Sequence, residues 1–160
     1  MREIKGQPGV NGRRFAIIVS RFNEAVTGRL LAGARACLKE HGARKDDVDI
    51  FSVPGAWELP VAALHAAQNG YAAVIAIGCV IRGDTPHFDY VAGGAAQGLA
   101  DVSVRTGVPV VFGVLTTDNA EQAFDRAGGK DGNKGWEAAH TAMEMADLIG
   151  KMREERAGTE

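Results

Sequence analysis

The sequence predicts an α/β fold in which one parallel sheet is covered by helices on both faces. Apolar runs of strand length alternate with segments of helical periodicity, an order typical of α/β proteins. Each run is nearly continuous, which indicates strands buried on both faces of a parallel sheet. With right-handed crossovers, these elements give a three-layer sandwich with a four-stranded sheet.

Length and composition restrict the chain to one ordinary globular domain. It has 160 residues, of which 46% are apolar and 24% charged. The net charge of −2 gives no electrostatic footprint for nucleic acid. Cys37 and Cys79 lack metal-ligand spacing and are expected to be free thiols packed in the interior. There is no apolar leader and no apolar run that could span a bilayer, so a cytoplasmic location is expected.

Two strand–helix pairs are predicted in the first half of the chain. The first strand is predicted at Phe15–Ser20, and Asn23 is expected to cap the helix that follows. The second strand is predicted at Val48–Val53 and is closed by the turn residues Pro54-Gly55. Pro60 must lie in the first turn of the next helix, because proline is not accommodated further inside.

Residues 78–91, which read GCVIRGDTPHFDYV, are the stretch around which the rest is organised. They follow the run 72–77, a predicted strand that ends at the sequence RGD. A helix is expected to begin just afterwards, with Asp84 or Thr85 as its N-cap and Pro86 in its first turn.

A junction of this kind is suited to binding an anion. Unsatisfied backbone N–H groups and the positive end of the helix dipole meet there, so a phosphate or another small anion is the expected ligand. His87 lies in the first turn, where a neutral imidazole could transfer protons near pH 7. The same residues could instead form a capped helix with an incidental histidine.

The helix after this junction is predicted at residues 86–105 and contains Gly93, Gly94 and Gly98. Each glycine costs about 1 kcal/mol relative to alanine in a helix. We expect the glycines to permit a close approach of this helix to the sheet or to another subunit.

The last third of the chain completes a flavodoxin-like order of elements. A fourth strand is predicted at 108–114, and Asp118 with Glu121 forms a capping-box pattern for a short helix. A final helix is predicted at 136–152. The expected division of the chain is an N-terminal arm at 1–12, a single domain at 13–152 and a charged C-terminal tail at 153–160.

All four predicted strand ends carry residues suited to ligand binding, and in parallel α/β sheets ligands bind beyond these ends. An aromatic residue follows the first strand, a carboxylate the second and the anion-binding stretch the third. Together they suit a flat polar heterocycle with a hydroxylated chain, plus a phosphorylated partner. The residues concerned are Phe22, Gly55-Ala56-Trp57-Glu58, Gly83 to His87 and Leu115-Thr116.

Five motifs, in order and with their spacing, resemble those of the lumazine synthases of riboflavin biosynthesis. They are SRFN at 20–23, PGAWELP at 54–60, GDTPHFDYV at 83–91, FGVLTTD at 112–118 and RAGGKDGNKGWEAA at 126–139. The resemblance covers residues 15–150. Trp57 and Gly129 replace the Phe and Thr that are frequent in that family, and neither change removes a functional group.

The resemblance implies a condensation of two small substrates without a metal or other cofactor. The substrates are 5-amino-6-(D-ribitylamino)uracil and 3,4-dihydroxy-2-butanone 4-phosphate. An imine forms, phosphate is eliminated and the ring closes to 6,7-dimethyl-8-ribityllumazine. This is the penultimate step of riboflavin biosynthesis.

The resemblance also implies roles for single residues. Phe22 stacks on the pyrimidine, Glu58 holds ribityl hydroxyls and His87 shuttles protons. Gly83 to Thr85 form the phosphate nest, in which Asp84 offers only its backbone N–H, and Arg126 adds a bidentate cation. Further contacts are implied for Ala56, Val80, Ile81, Phe112 and Lys134, and expected for Trp57 and Leu115 from their place at strand ends.

Members of the family share each site between neighbouring subunits, and the residue matching Phe112 comes from the partner. The resemblance therefore implies a homo-oligomer, which is a pentamer in the family and, in some members, an icosahedral capsid of twelve pentamers. The loop at 128–135 has the length found in capsid-forming members, which favours a capsid here.

Simpler interpretations exist for single residues and for the whole chain. Phe22 could be a hydrophobic staple, Glu58 could complement a helix dipole, and Arg126 and Lys134 could be solvated charges.

The chain could also be a flavin-binding module or a capsid-forming protein of the same fold without activity. Against a flavin or nucleotide binder, SRFNE stands where a glycine-rich phosphate loop would follow the first strand. Three other histidines are expected to be structural: His41, His65 and His140.

Overall fold

One four-stranded parallel sheet forms the centre of the molecule. The structure, a computed structural model, describes residues 1–158. The strands stand in the order β2-β1-β3-β4, and every neighbouring pair is parallel. The predicted three-layer, flavodoxin-like α/β fold is confirmed. The strands are β1 (Phe15–Ser20), β2 (Val48–Val53), β3 (Ala73–Ile81) and β4 (Val110–Thr117).

Helices cover both faces of this sheet. The first and last long helices pack on one face, and the two that follow β2 and β3 pack on the other. A small antiparallel pair, β5 (Ala127–Gly129) and β6 (Gly132–Asn133), precedes the last helix. The helices are α1 (Glu24–Glu40), α2 (Leu59–Ala67), α3 (His87–Thr106), α4 (Ala120–Asp125) and α5 (Lys134–Ala157).

Alternation along β1 divides the interior into two cores. Phe15 and Ile17 pack towards α1 and α5, whereas Ala16 and Ile18 pack towards α2 and α3, and all four are fully buried. Burying a large aliphatic or aromatic side chain contributes about 1.5–3 kcal/mol. Burial on both faces explains why the sequence of this strand is continuously apolar.

The chain ends differ from the sequence-based expectation in two respects. The first ten residues, which belong to the predicted arm, have no regular secondary structure, but Val10 is fully buried in the α1/α5 core. The sequence predicts that the last helix ends near residue 152, whereas α5 continues to Ala157, because residues 153–157 include no helix breaker. The end of the predicted tail, 159–160, lies outside the described residues.

A buried carboxylate of α5 binds the arm. Asp147 accepts hydrogen bonds from the backbone N–H of Gln7 at 2.8 Å and from the Arg13 guanidinium at 3.3 Å, and it pairs with the Lys151 ammonium at 2.8 Å. The hydrogen bond from Lys151, followed by that from Gln7, lowers the pKa of Asp147 from 3.8 to about 2. The carboxylate is therefore ionised whenever the arm is in place near neutral pH.

None of the helices in residues 1–158 combines the length and apolar character needed to cross a bilayer.

Candidate active site

A cleft of about 830 Å³ opens beyond the carboxyl ends of the sheet strands, where parallel α/β sheets bind ligands. Residues from the ends of β1, β2 and β3 and from the first turn of α3 line it together. Nine of the predicted site residues meet here: Phe22, Ala56, Trp57, Glu58, Val80, Ile81, Gly83, Thr85 and His87.

Phe22 presents its ring to this cleft and is 71% exposed. Its backbone N–H donates to the Pro54 carbonyl at 3.0 Å, which ties the end of β1 to the end of β2. A hydrophobic staple would bury this ring against α1, so the exposure contradicts that alternative. The ring is instead available to stack on a planar ligand.

Asn23, the residue after Phe22, has a left-handed backbone conformation, with φ of 61°. It occupies the N-cap position of α1, but the predicted side-chain cap is wrong, because its amide donates instead to the Cys79 carbonyl at 2.9 Å. This bond links the β1–α1 turn to the end of β3. Phe22 is thereby fixed between two strand ends.

A short 3₁₀ turn at Ala56–Glu58 forms the wall opposite the end of β3. It leads directly into α2 with Pro60 in the first turn, as predicted. The Glu58 carboxylate has no hydrogen-bond or ion-pair partner among residues 1–158. An unpaired acceptor that lines a cleft is suited to bind ligand hydroxyl groups.

Trp57 forms the outer part of this wall and is 62% exposed. Its ring lies directly against Gly94 of α3, while Gly98 faces the Pro60 ring. The sequence predicts that these glycines permit a close approach to the sheet or to another subunit, and within the chain Gly94 and Gly98 instead receive the 3₁₀ turn and the first turn of α2. Gly93 faces open space.

The chain between β3 and α3 forms an irregular loop at residues 82–86, and α3 begins later than predicted. His87 is its first residue and Pro86 occupies the N-cap position, so the prediction of Asp84 or Thr85 as the cap is wrong. Pro86 accepts from the Asp89 N–H at 3.0 Å, and no side chain caps the helix. The first backbone N–H groups therefore remain available to an anion.

The first residue of α3, His87, carries an exposed imidazole. This ring has no hydrogen-bond or ion-pair partner among residues 1–158. Asp84 is exposed and does not line the cleft.

Several residues that sequence reasoning did not select also line the cleft. Phe88, Tyr90 and Val91 come from the first turn of α3, and Tyr90 is 74% exposed. Their position close to His87 in the sequence could have identified them as site residues. Cys79 also contributes, but burial raises the pKa of its thiol to about 11, so it packs as a neutral group.

Four further predicted site residues lie elsewhere, in a second cleft of about 510 Å³ along the free edge of β4. Phe112 stands on that edge and is 45% exposed. The two clefts have no lining residue in common. The predicted residues found in the second cleft are Phe112, Leu115, Arg126 and Lys134.

Two helix ends position the cations of the second cleft. Arg126 ends α4, donates to the Gln122 carbonyl at 3.0 Å and lies 3.7 Å from the Asp131 carboxylate. Lys134 begins α5 and lies 3.2 Å from Glu137. The N-cap of α4 is Asn119, which accepts from the Gln122 N–H, so the predicted capping box of Asp118 and Glu121 is wrong.

A comparison with protein families identifies the family to which this chain belongs. A family model described as 6,7-dimethyl-8-ribityllumazine synthase matches residues 12–150. The chain belongs to the lumazine synthase family. The resemblance found in the sequence is thereby confirmed, and the matched range includes every residue that lines either cleft.

Lumazine synthases are transferases, and the chain is accordingly an enzyme of riboflavin biosynthesis that belongs to the lumazine synthase reaction class. The roles of individual residues are not decided by family membership and stay predictions. Within residues 1–158, no three His, Cys, Asp or Glu side chains are grouped closely enough to hold a metal ion.

Proposed function

We propose that this enzyme condenses 5-amino-6-(D-ribitylamino)uracil with 3,4-dihydroxy-2-butanone 4-phosphate. The product is 6,7-dimethyl-8-ribityllumazine, and phosphate and water are released. The observation that carries the proposal is the content of the first cleft, which combines an exposed aromatic ring, an unpaired carboxylate, an uncapped helix N-terminus and an imidazole.

The pyrimidine substrate has a planar ring and a polyhydroxylated chain. Phe22 offers the exposed ring face for stacking, and Glu58 offers unpaired acceptors for the ribityl hydroxyls. Main-chain groups of Ala56, Val80 and Ile81, which line the same cleft, bind the edge of the pyrimidine ring. Trp57 closes the wall beside them.

The butanone phosphate binds where the chain enters α3. Backbone N–H groups of Gly83, Asp84 and Thr85, together with the dipole of a 20-residue helix, favour its dianionic phosphate. The Asp84 side chain is exposed, so its carboxylate can remain away from the phosphate. The ketone carbon of this substrate then faces the pyrimidine amine.

His87 moves the protons that this chemistry requires. Attack of the amine on the ketone and loss of water give an imine, and removal of a carbon-bound proton then expels phosphate. Elimination leaves an enol, which takes up a proton and becomes a ketone at the carbon that carried the hydroxyl group. The ring closes when the ribityl-bearing nitrogen attacks this new ketone and a second water leaves. The unpaired imidazole at the start of α3 is placed to accept and return these protons. Orientation of the two substrates supplies much of the remaining acceleration.

We further propose that each complete site forms between two subunits. Phe112, Leu115, Arg126 and Lys134 lie in a cleft that shares no residue with the first, so one chain offers two incomplete sets. A head-to-tail contact that brings the β4 edge of one subunit to the first cleft of the next would join them, and such contacts close into rings. The ring we propose is a pentamer, and Arg126 would reach the phosphate from the neighbour.

Twelve such pentamers would form an icosahedral capsid in the cytoplasm. The compact β5–β6 pair, with its short turn before α5, favours this assembly over isolated pentamers. Two cysteines without a disulfide are consistent with a reducing compartment. Sedimentation tests the assembly, and a profile that contains only pentamers would refute the capsid without affecting the proposed reaction.

An absorbance assay tests the reaction. Purified protein is mixed with both substrates, and growth of the lumazine chromophore is followed against a control that lacks the butanone phosphate. We expect growth that depends on enzyme and disappears in the control. A protein that binds the ribityl-pyrimidine or riboflavin but forms no lumazine would be the non-catalytic alternative.

A further inference from the structure

Arg82 connects three elements at the mouth of the first cleft. It is the residue that follows β3, and its backbone N–H donates to the Thr117 carbonyl at 2.8 Å, which extends the pairing with β4 by one step. Its Nε donates to the Asp118 carboxylate at 3.1 Å. The guanidinium also reaches the first turn of α3, where it lies 3.5 Å from Asp89 and 4.3 Å above the centre of the Phe88 ring.

Through these contacts, Arg82 connects the two ends of the segment that carries the proposed phosphate nest. Residues 83–86 have no helical or strand pairing of their own, and they run between Arg82 and His87. The side chain of Arg82 bridges the same gap, because it bonds to the two residues that follow His87. The start and the end of the segment are thus held by one guanidinium.

The charge balance around Arg82 distinguishes it from a ligand-binding cation. Two carboxylates, those of Asp89 and Asp118, face its single positive charge. A phosphate would have to compete with both of them. The planar guanidinium can bond to two carboxylates at its edge while its face covers an aromatic ring, and a lysine ammonium cannot do both.

We propose that Arg82 is a positioning residue that holds segment 83–87 in the conformation needed to bind phosphate and to direct His87 into the cleft. This inference rests on the proposed function, since it assigns a role within that reaction. Arg82 itself touches neither substrate. Its ion pairs are exposed and each contributes about 0–1 kcal/mol, so the fold does not depend on them.

Steady-state kinetics of Arg82→Ala and Arg82→Lys test the role. Because a displacement of about 1 Å can cost a hundredfold in rate, we expect kcat to fall ten- to hundredfold and the KM for the butanone phosphate to rise. The KM for the pyrimidine should change less than twofold, because Phe22 and Glu58 are held by other contacts. Arg82→Lys should resemble Arg82→Ala, since the charge alone does not restore the ring contact and the paired bonds.

The matched control is Arg35→Ala, which removes an exposed arginine from α1 outside both clefts. It should behave like the wild type. If Arg82→Ala has the kinetics of this control, or if Arg82→Lys restores them, the positioning role is refuted while the proposed reaction stands.

Hydrogen exchange measured without substrates tests the positioning role independently of turnover. The amide of Asp89, which donates to the Pro86 carbonyl, should exchange severalfold faster in Arg82→Ala than in the wild type or in Arg35→Ala, because the start of α3 loses its closing contact. Unchanged exchange there refutes the inference even if the wild-type protein forms no lumazine. Absence of wild-type turnover, by contrast, would refute only the proposed function.

Discussion

The indole of Trp57 lies directly on the Cα of Gly94, so that a methyl group at this position of α3 would overlap the ring. Trp57 is 62% exposed, and its ring can therefore move outward at modest energetic cost. Gly94 therefore affects the position of one wall of the first cleft more than it affects the stability of the fold.

Replacement of Gly94 by alanine should accordingly alter binding more than stability. The gain in helix propensity, about 1 kcal/mol, and the cost of displacing the ring should nearly cancel in the free energy of unfolding. The KM for the pyrimidine substrate should rise severalfold. Gly93→Ala is the matched control, because nothing lies within 4 Å of an added methyl group there. That variant should be more stable by up to about 1 kcal/mol and unchanged in KM.

The left-handed conformation of Asn23 predicts different outcomes for two substitutions. Asn23→Gly loses the bond to Cys79 but removes the Cβ from the left-handed region, whereas Asn23→Ala loses the same bond and keeps a Cβ there, which costs about 1–2 kcal/mol relative to glycine. Urea unfolding should therefore rank the glycine variant above the alanine variant. Both variants should bind the pyrimidine more weakly, because Phe22 loses its support.

Asn11, with φ of 50°, provides the control for this comparison, since it lines neither cleft. Asn11→Ala should lose stability in the same way and leave the KM unchanged. Equal stability of the two Asn23 variants would contradict the conformational argument.

His87→Ala should slow turnover by roughly one to two orders of magnitude without abolishing it, because the two substrates remain adjacent when the proton carrier is lost. The change should appear in kcat more than in either KM. His65→Ala, at an exposed position of α2 that lines neither cleft, should turn over at the wild-type rate. Complete loss of turnover in folded His87→Ala would mean that this residue does more than carry protons.

The attachment of the arm predicts a pH-dependent stability difference. The folded-state pKa of Asp147 is lowered from 3.8 to about 2, so its contribution is present above about pH 4 and is lost as the pH falls through 2. At pH 7, Asp147→Asn should reduce the free energy of unfolding by about 1.5–3 kcal/mol, as expected for hydrogen bonds to a charged group. The difference should shrink towards pH 2. Asp46→Asn, at an exposed position, should show no difference at either pH.

The local sequence predicted both ends of β1 and of β2 correctly, because each strand is an apolar run bounded by polar or turn residues. The start of α3 was misplaced because capping preferences cannot reveal that Asp84 and Thr85 remain in an irregular loop whose two ends Arg82 connects. Asn23 was chosen correctly as an N-cap position, but its amide bonds to a strand 56 residues away in sequence. Such a long-range partner leaves no local pattern.

The sequence pattern likewise predicted some residues of the candidate site and missed others. Residues at the ends of β1, β2 and β3 could be selected because parallel strands present their carboxyl ends on one side. Phe112 lies within a strand, and only the order β2-β1-β3-β4 makes that strand an exposed edge. This order depends on crossovers between distant segments. The family resemblance, rather than the pattern of residues, selected Phe112.

In the proposed arrangement of sites between subunits, every chain contributes to two different sites at once. A subunit with His87→Ala would impair one of the two sites to which it contributes and leave its share of the other intact, and Arg126→Ala would do the reverse. Each variant alone should therefore turn over slowly at every site. Coassembly of equal amounts should restore about a quarter of the sites, because a head-to-tail ring joins the two intact halves at one random contact in four. Activity of the mixture no higher than the mean of the separate variants would place both residues in the same half, and genetic complementation between them would be impossible.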